Sequence, residues 1–129
     1  MTDRASRFSA SKSESSLIVL FIPSVDRDGQ YINQRLWVHH ALELLGNTFG
    51  GATAHPPAQG VWRDDDRGGK LVRDETVVIE CYSNEAAIEQ HTATLRDFLM
   101  RMGSETNQGA VGFVIDQDYL EIRFRQGGG

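Results

Sequence analysis

Cysteine and proline are scarce in this 129-residue chain: Cys81 is the single thiol, and there are three prolines. One cysteine excludes an intramolecular disulfide and cannot alone build a thiolate zinc site, a usage that suits a reducing cytoplasm. Long apolar runs are missing too. The longest, Leu17 to Ile22, has six residues, against the roughly 20 needed to cross a bilayer, so no membrane association is expected. Met1 to Ser16 scatters Ser, Arg, Lys, Asp and Glu around Phe8 and lacks the apolar core of a secretory signal; it reads as a disordered tail over 1–16. Positive charge is in deficit, with 13 Lys and Arg against 18 Asp and Glu, and a net charge of -5 disfavours a broad nucleic-acid surface. Gly50-Gly51 matches neither the P-loop nor the dinucleotide-binding glycine spacing, and no cofactor is expected.

What remains is a patterned chain of single-domain size. Leu17-Ile18-Val19-Leu20-Phe21-Ile22, stopped by Pro23, has the length and β-favouring content of a central strand buried on both faces. Asn33 stands where a helix N-cap belongs, and Val38, Ala41, Leu42 and Leu45 follow at helical spacing, predicting a helix from Gln34 to Leu45 that stops at Gly46. Lys70 to Tyr82 reads as a long strand, with Val77, Ile79 and Cys81 on one side and Val78, Glu80 and Tyr82 on the other. Asp64 to Gly69 is expected as a solvated hairpin turn that joins this strand to Gly60-Val61-Trp62-Arg63. Ser83 or Asn84 caps a second helix with the stripe Ile88, Thr92, Leu95, Leu99 and Met102, and Val111 to Asp116 and Tyr119 to Phe124 form a closing hairpin.

The order β, α, β, β, α, β with an extra C-terminal strand, and right-handed crossovers, gives an α+β ferredoxin-like sandwich: both helices on one face of an antiparallel sheet. The folded domain is placed at 17–125, with a flexible C-terminus at 126–129. The other sheet face is then bare. Carrying Val78, Tyr82 and Tyr119, it is poorly matched to water and calls for a ligand, a second copy of the chain, or both.

The segment from Phe49 to Arg63 crowds Gly50, Gly51, Gly60, His55, Pro56-Pro57 and Trp62 between two periodic stretches. Its Phe49-Gly50-Gly51-Ala52-Thr53 and Gly60-Val61-Trp62-Arg63 motifs, behind an apolar first strand, resemble those of a family of small bacterial proteins with a ferredoxin-like fold. That resemblance covers about Leu17 to Phe124 and implies the fold; it implies no catalytic residue. A looser topological likeness is to the dimeric α/β-barrel superfamily, in which two such sheets enclose a pocket.

Glu80 is the first candidate for chemistry. A carboxylate between Val78 and Tyr82 must be paired, protonated or turned towards a polar cavity. Arg63 and His55 lie on the adjoining loop, and Glu121 and Arg123 on the last strand. If these converge, they hold an anionic or hydrogen-bonding small molecule with Glu80 or His55 as general base; otherwise Glu80 forms an ion pair with an arginine in a dimer interface. His39, His40 and Glu43 invite a metal reading, but His40 and Glu43 fall with Leu36 on the solvated side of the first helix and no His-Glu-x-x-His spacing is present, so no metal site is expected. His91, on the inward edge of the second helix, reads as a boundary histidine bonded to backbone, and Cys81 as a small core residue. The functional expectation is a small-molecule-binding homodimer, with His55, Trp62, Arg63, Glu80 and Tyr82 around a pocket between the open face and the 49–63 loop. The alternatives are a protein-interaction module without activity and a cofactor-independent enzyme using Glu80 or His55.

Overall fold

The computed structural model of the chain describes residues 3–125. Its elements run α1 (Arg4–Arg7), β1 (Ser16–Ile22), α2 (Gln34–Phe49), β2 (Thr53–Ala54), β3 (Ala58–Asp64), β4 (Lys70–Ser83), α3 (Glu85–Gln90), α4 (Thr92–Glu105), β5 (Ala110–Ile115) and β6 (Asp118–Arg123). The strand order is β2-β4-β1-β5-β6, every pair antiparallel, with β3 joining β4 beyond the end of β2. This is the ferredoxin-like split βαβ arrangement with two added strands, β3 and β6; each β-helix-β crossover skips over one strand, and such crossovers are right-handed as a rule.

Alternation along β1 and β4 sorts the side chains. Ile18, Leu20 and Ile22 register against Cys81, Ile79 and Val77, and all six are buried. Trp37, Ala41 and Leu45 of α2 and Leu95, Leu99 and Met102 of α4 complete the core on that face. Leu17, Val19 and Phe21 register against Tyr82, Glu80 and Val78 on the opposite face, which no helix covers. The first strand is therefore central, but it is buried on one side only; its other side is half-exposed. An apolar run of six does not distinguish these cases when the second face is roofed only by bulky strand neighbours.

Three boundaries depart from the sequence reading. Helix α2 runs past Gly46 to Phe49, and Gly50 takes the left-handed cap with φ 101°, its N–H donating to the Gly46 carbonyl. Leu44, Leu45 and Phe49 carry the packed stripe one further turn, so burial outweighs the weak helix preference of an internal glycine. The second helix is broken at His91 into α3 and α4, with Asn84 accepting a hydrogen bond from the Ala87 N–H at 2.9 Å. The stretch 64–69 is a 3₁₀ turn at Asp65–Arg67, and its first residue, Asp64, is buried where a solvated turn was expected. Period two along β3 explains this: Gly60, Trp62 and Asp64 share the inward side. Within the segment expected as a tail, Arg4–Arg7 makes one helical turn capped by Asp3, with no buried residue. The C-terminus expected as flexible at 126–129 lies outside the described residues. Among the described residues no helix is long and apolar enough to cross a membrane.

Candidate functional site

The open face becomes a cleft because β4 outruns β1. Its half from Val77 to Ser83 pairs with β1, whereas Lys70 to Thr76 pairs only with β3, forming a two-stranded arm beyond the end of the sheet. The arm curls across the open face. Gly60, Val61 and Trp62 of β3 thus line the same cavity as Ala110 and Gly112 of β5 and Tyr119 and Glu121 of β6, strands that lie three and four places away in the sheet order. Phe21, Val78 and Pro23 make its floor, and Asp74, Thr76 and Gln108 add polar groups, around a volume of about 340 Å³.

Specific contacts hold the arm down. Asp74 Oδ1 accepts from both the N–H and the hydroxyl of Ser24, at 2.8 and 2.5 Å, and the Ser24 hydroxyl accepts from the Glu75 N–H. The Gln34 side-chain amide donates to the carbonyls of Ile22 and Glu75, tying the first turn of α2 to both strands. At the far end Arg27, only 6 % exposed, lies 4.0 Å from the Asp64 carboxylate, itself 3 % exposed. Arg67 approaches Asp64 at 3.9 Å and bonds Asp28 at 2.8 Å, and Asn107 donates to Asp26 and Asp28. The Arg67 hydrogen bond, then that of Asn107, holds the Asp28 carboxyl below its ordinary pKa. Gln108 is buried and donates to the Val25 carbonyl. One ion cluster therefore pins the 24–31 loop, the arm tip and the 107–109 turn together.

The wall formed by β5 and β6 depends on Gly112. A Cβ there would overlap the Tyr119 hydroxyl, so the missing side chain lets the tyrosine lie across the strand towards Phe21, with ring centroids 6.4 Å apart. Burial, then the neighbouring Glu121 charge, pushes the Tyr119 phenol above its ordinary pKa.

The expected site residues divide. Trp62 lines the cavity. His55 and Glu80 meet on the open face, Nε2 to Oε2 at 3.2 Å, both about half-exposed and both outside the cavity lining. The partner of Glu80 is thus this loop histidine, whose backbone N–H donates to the Val78 carbonyl. Arg63 points the other way, bonded to Asp65 at 2.6 Å, and Tyr82 stands 61 % exposed at the far end of the face. Glu121 and Arg123 pair with each other at 3.0 Å. His39 and Glu43 form a solvent-exposed pair, while the His91 ring packs edge-on against Phe49. Cys81 is buried on the core face, where burial raises its thiol pKa.

Sequence reasoning passed over Asp74, Gln108 and Gly112. Asp74 shares the parity of Thr76, Val78 and Glu80, and a glycine inside an apolar strand marks a close approach, so two of these had a readable signal. Gln108, in a turn, had none.

No profile of a known protein family matches the chain, and no curated protein does either. Among solved structures it is similar to a phage SAM lyase in complex with S-methyl-5'-thioadenosine. The likeness has a TM-score of 0.65 and 17 % identity, covering 88 % of this chain and 92 % of that one. The phage SAM lyase in its apo state gives a TM-score of 0.62 and 16 % identity, covering 89 % of this chain and 94 % of the other. At such identity the likeness is one of fold.

Proposed function

We propose that this chain binds a small aromatic or otherwise amphipathic organic molecule in the cleft between the open sheet face and the β3–β4 arm. The carrying observation is the cavity itself: about 340 Å³, walled by Phe21, Val78, Trp62 and Tyr119, with a few polar groups converging on it. That volume lies in the range of small-molecule sites, and apolar walls with sparse polar anchors are their usual composition. The site is displaced from the sequence expectation towards the 58–62 end of the loop. The bound S-methyl-5'-thioadenosine of the structural neighbour supplies one ligand class to try first, a nucleoside thioether. Kinship with the bacterial family carrying the two loop motifs belongs to the same proposal, as does a cytoplasmic setting.

Melting temperature measured against nucleoside thioethers, nucleosides and simple aromatic compounds tests the reading. A ligand that binds the folded form at 100 times its Kd adds about 2.7 kcal/mol and raises the midpoint. Trp62→Ala removes one wall and abolishes the shift. A panel that leaves the midpoint unmoved, or a shift untouched by Trp62→Ala, refutes it.

A second reading adds a homodimer. Tyr82, with the half-exposed Leu17 and Val19 beside it, leaves an apolar strip outside the cavity, beside the His55–Glu80 pair. A second copy seated there would enclose that pair, which then has the geometry of a carboxylate-oriented histidine base. Light scattering of the parent and of Tyr82→Glu checks the association; a monomer at 100 µM excludes it.

A further inference from the structure

We infer that the cavity selects a cationic ligand, an aromatic ring carrying an ammonium or comparable positive group; the inference rests on the binding reading above. The ionisable side chains that line it are Asp74, Glu121 and Tyr119, and among the described residues the lining contains no lysine, arginine or histidine. Guanidinium groups lie nearby, but each is engaged by a carboxylate. Arg63 is held by Asp65, Arg123 is largely solvated and held by Glu121, and Arg27 is buried beside Asp64 behind Gly109. The Asp74 carboxylate accepts from neutral donors, the Ser24 N–H and hydroxyl. Burial, and after it the Glu121 charge, raises the Tyr119 phenol pKa; the second cause has the sign that a nearby negative charge gives.

The walls favour the same ligand. Trp62, Phe21 and Tyr119 present aromatic rings, and ring faces attract cations while accepting apolar rings by stacking. An anionic ligand would meet Asp74 with no cationic side chain in the lining, Glu121 sharing its charge with Arg123; a neutral one would leave Asp74 to be desolvated without return. A cation bound at Asp74 is compensated there, and Glu121 adds a charge that Arg123 partly screens.

Three phenyl compounds that differ in charge decide the matter: phenethylamine, 2-phenylethanol and 3-phenylpropionate, each titrated into ¹⁵N-labelled full-length protein at pH 7 and low salt. The expected result is movement of the Gly60, Thr76 and Gly112 amides, with the amine at least tenfold tighter than the alcohol and the carboxylate weakest. Glu121→Gln with Asp74→Asn should bring amine and alcohol to within threefold, and added salt should weaken the amine alone. Equal binding of alcohol and amine, or tighter carboxylate, overturns the charge selection and leaves the binding site standing. If none of the three moves those amides at 10 mM, both readings fail. Movement confined to amides outside the cavity overturns the selection as well. Should the double variant melt early, Glu121→Gln alone is read for the same loss of preference.

Discussion

Removing the Asp64 carboxylate is the perturbation that probes the arm most directly. Arg27 and Asp64 are each almost fully buried and stand 4.0 Å apart, joining the loop after β1 to the arm tip. Breaking a buried pair by deleting one member leaves the other charge in a poor solvent, which costs about 3–5 kcal/mol. Arg67 at the cluster rim keeps a second carboxylate, Asp28, so the lower end applies to Asp64→Ala, about 3 kcal/mol. With a urea slope of about 2 kcal/mol/M, that lowers the unfolding midpoint by roughly 1.5 M. Arg27→Met combined with Asp64→Ala removes both charges at once, and the loss should fall short of the sum of the losses of Arg27→Met and Asp64→Ala alone by about 1–3 kcal/mol, as expected for side chains in contact. Equilibrium urea unfolding of the four proteins, followed by tryptophan fluorescence, measures the cycle. An Asp64→Ala protein within about 0.5 kcal/mol of the parent, or strict additivity, refutes the claim that this pair fastens the arm.

Two glycines test where α2 ends. Gly46→Ala lies mid-helix with open space around its Cβ position and should stabilise by about 1 kcal/mol, whereas Gly50→Ala at φ 101° should destabilise by about as much; the opposite signs would restore the shorter helix. The depressed pKa of Asp28 makes its contact with Arg67 a source of acid sensitivity. The folded value lies below the unfolded one, so the contribution is complete above the ordinary carboxylate range and is lost as pH falls through the lower folded value. Asp28→Asn should flatten the stability profile below pH 4, and an unchanged acid limb counts against the assignment. Buried Cys81, its thiol pKa raised, should stay unreactive to Ellman's reagent at pH 8 until the chain is unfolded; rapid labelling of folded protein would contradict its placement.

Much of the architecture was readable because period-two and period-3.6 patterns report burial directly. Cys81 inward and Tyr82 outward follow from alternation alone, and Asn33 and Asn84 cap the helices where short polar side chains precede apolar stripes. The site was less legible. His55 and Glu80 lie 25 residues apart in sequence and meet through the pairing of β2 with β4, which residue types suggest but do not fix. The curl of the arm was invisible, since it depends on Arg27, Asp64 and Asn107 meeting from three separate segments. Only the strand period running through Gly60 and Trp62 separates buried Asp64 from the two exposed aspartates that follow it, and where that strand ends is not written in the residue types.

The curl has a bearing on how far the margins of the sheet are open to another chain's backbone. A strand at the margin of a sheet is a template for another chain's backbone, and here β2 and β3 make one margin and β6 the other. Bringing Trp62 and Glu121 to opposite walls of one small chamber turns the two margins towards each other, and Pro56-Pro57 removes amide donors from the remaining length. Loosening the arm would undo that shielding, so aggregation on storage should track the integrity of the Arg27–Asp64 cluster more closely than it tracks the melting point.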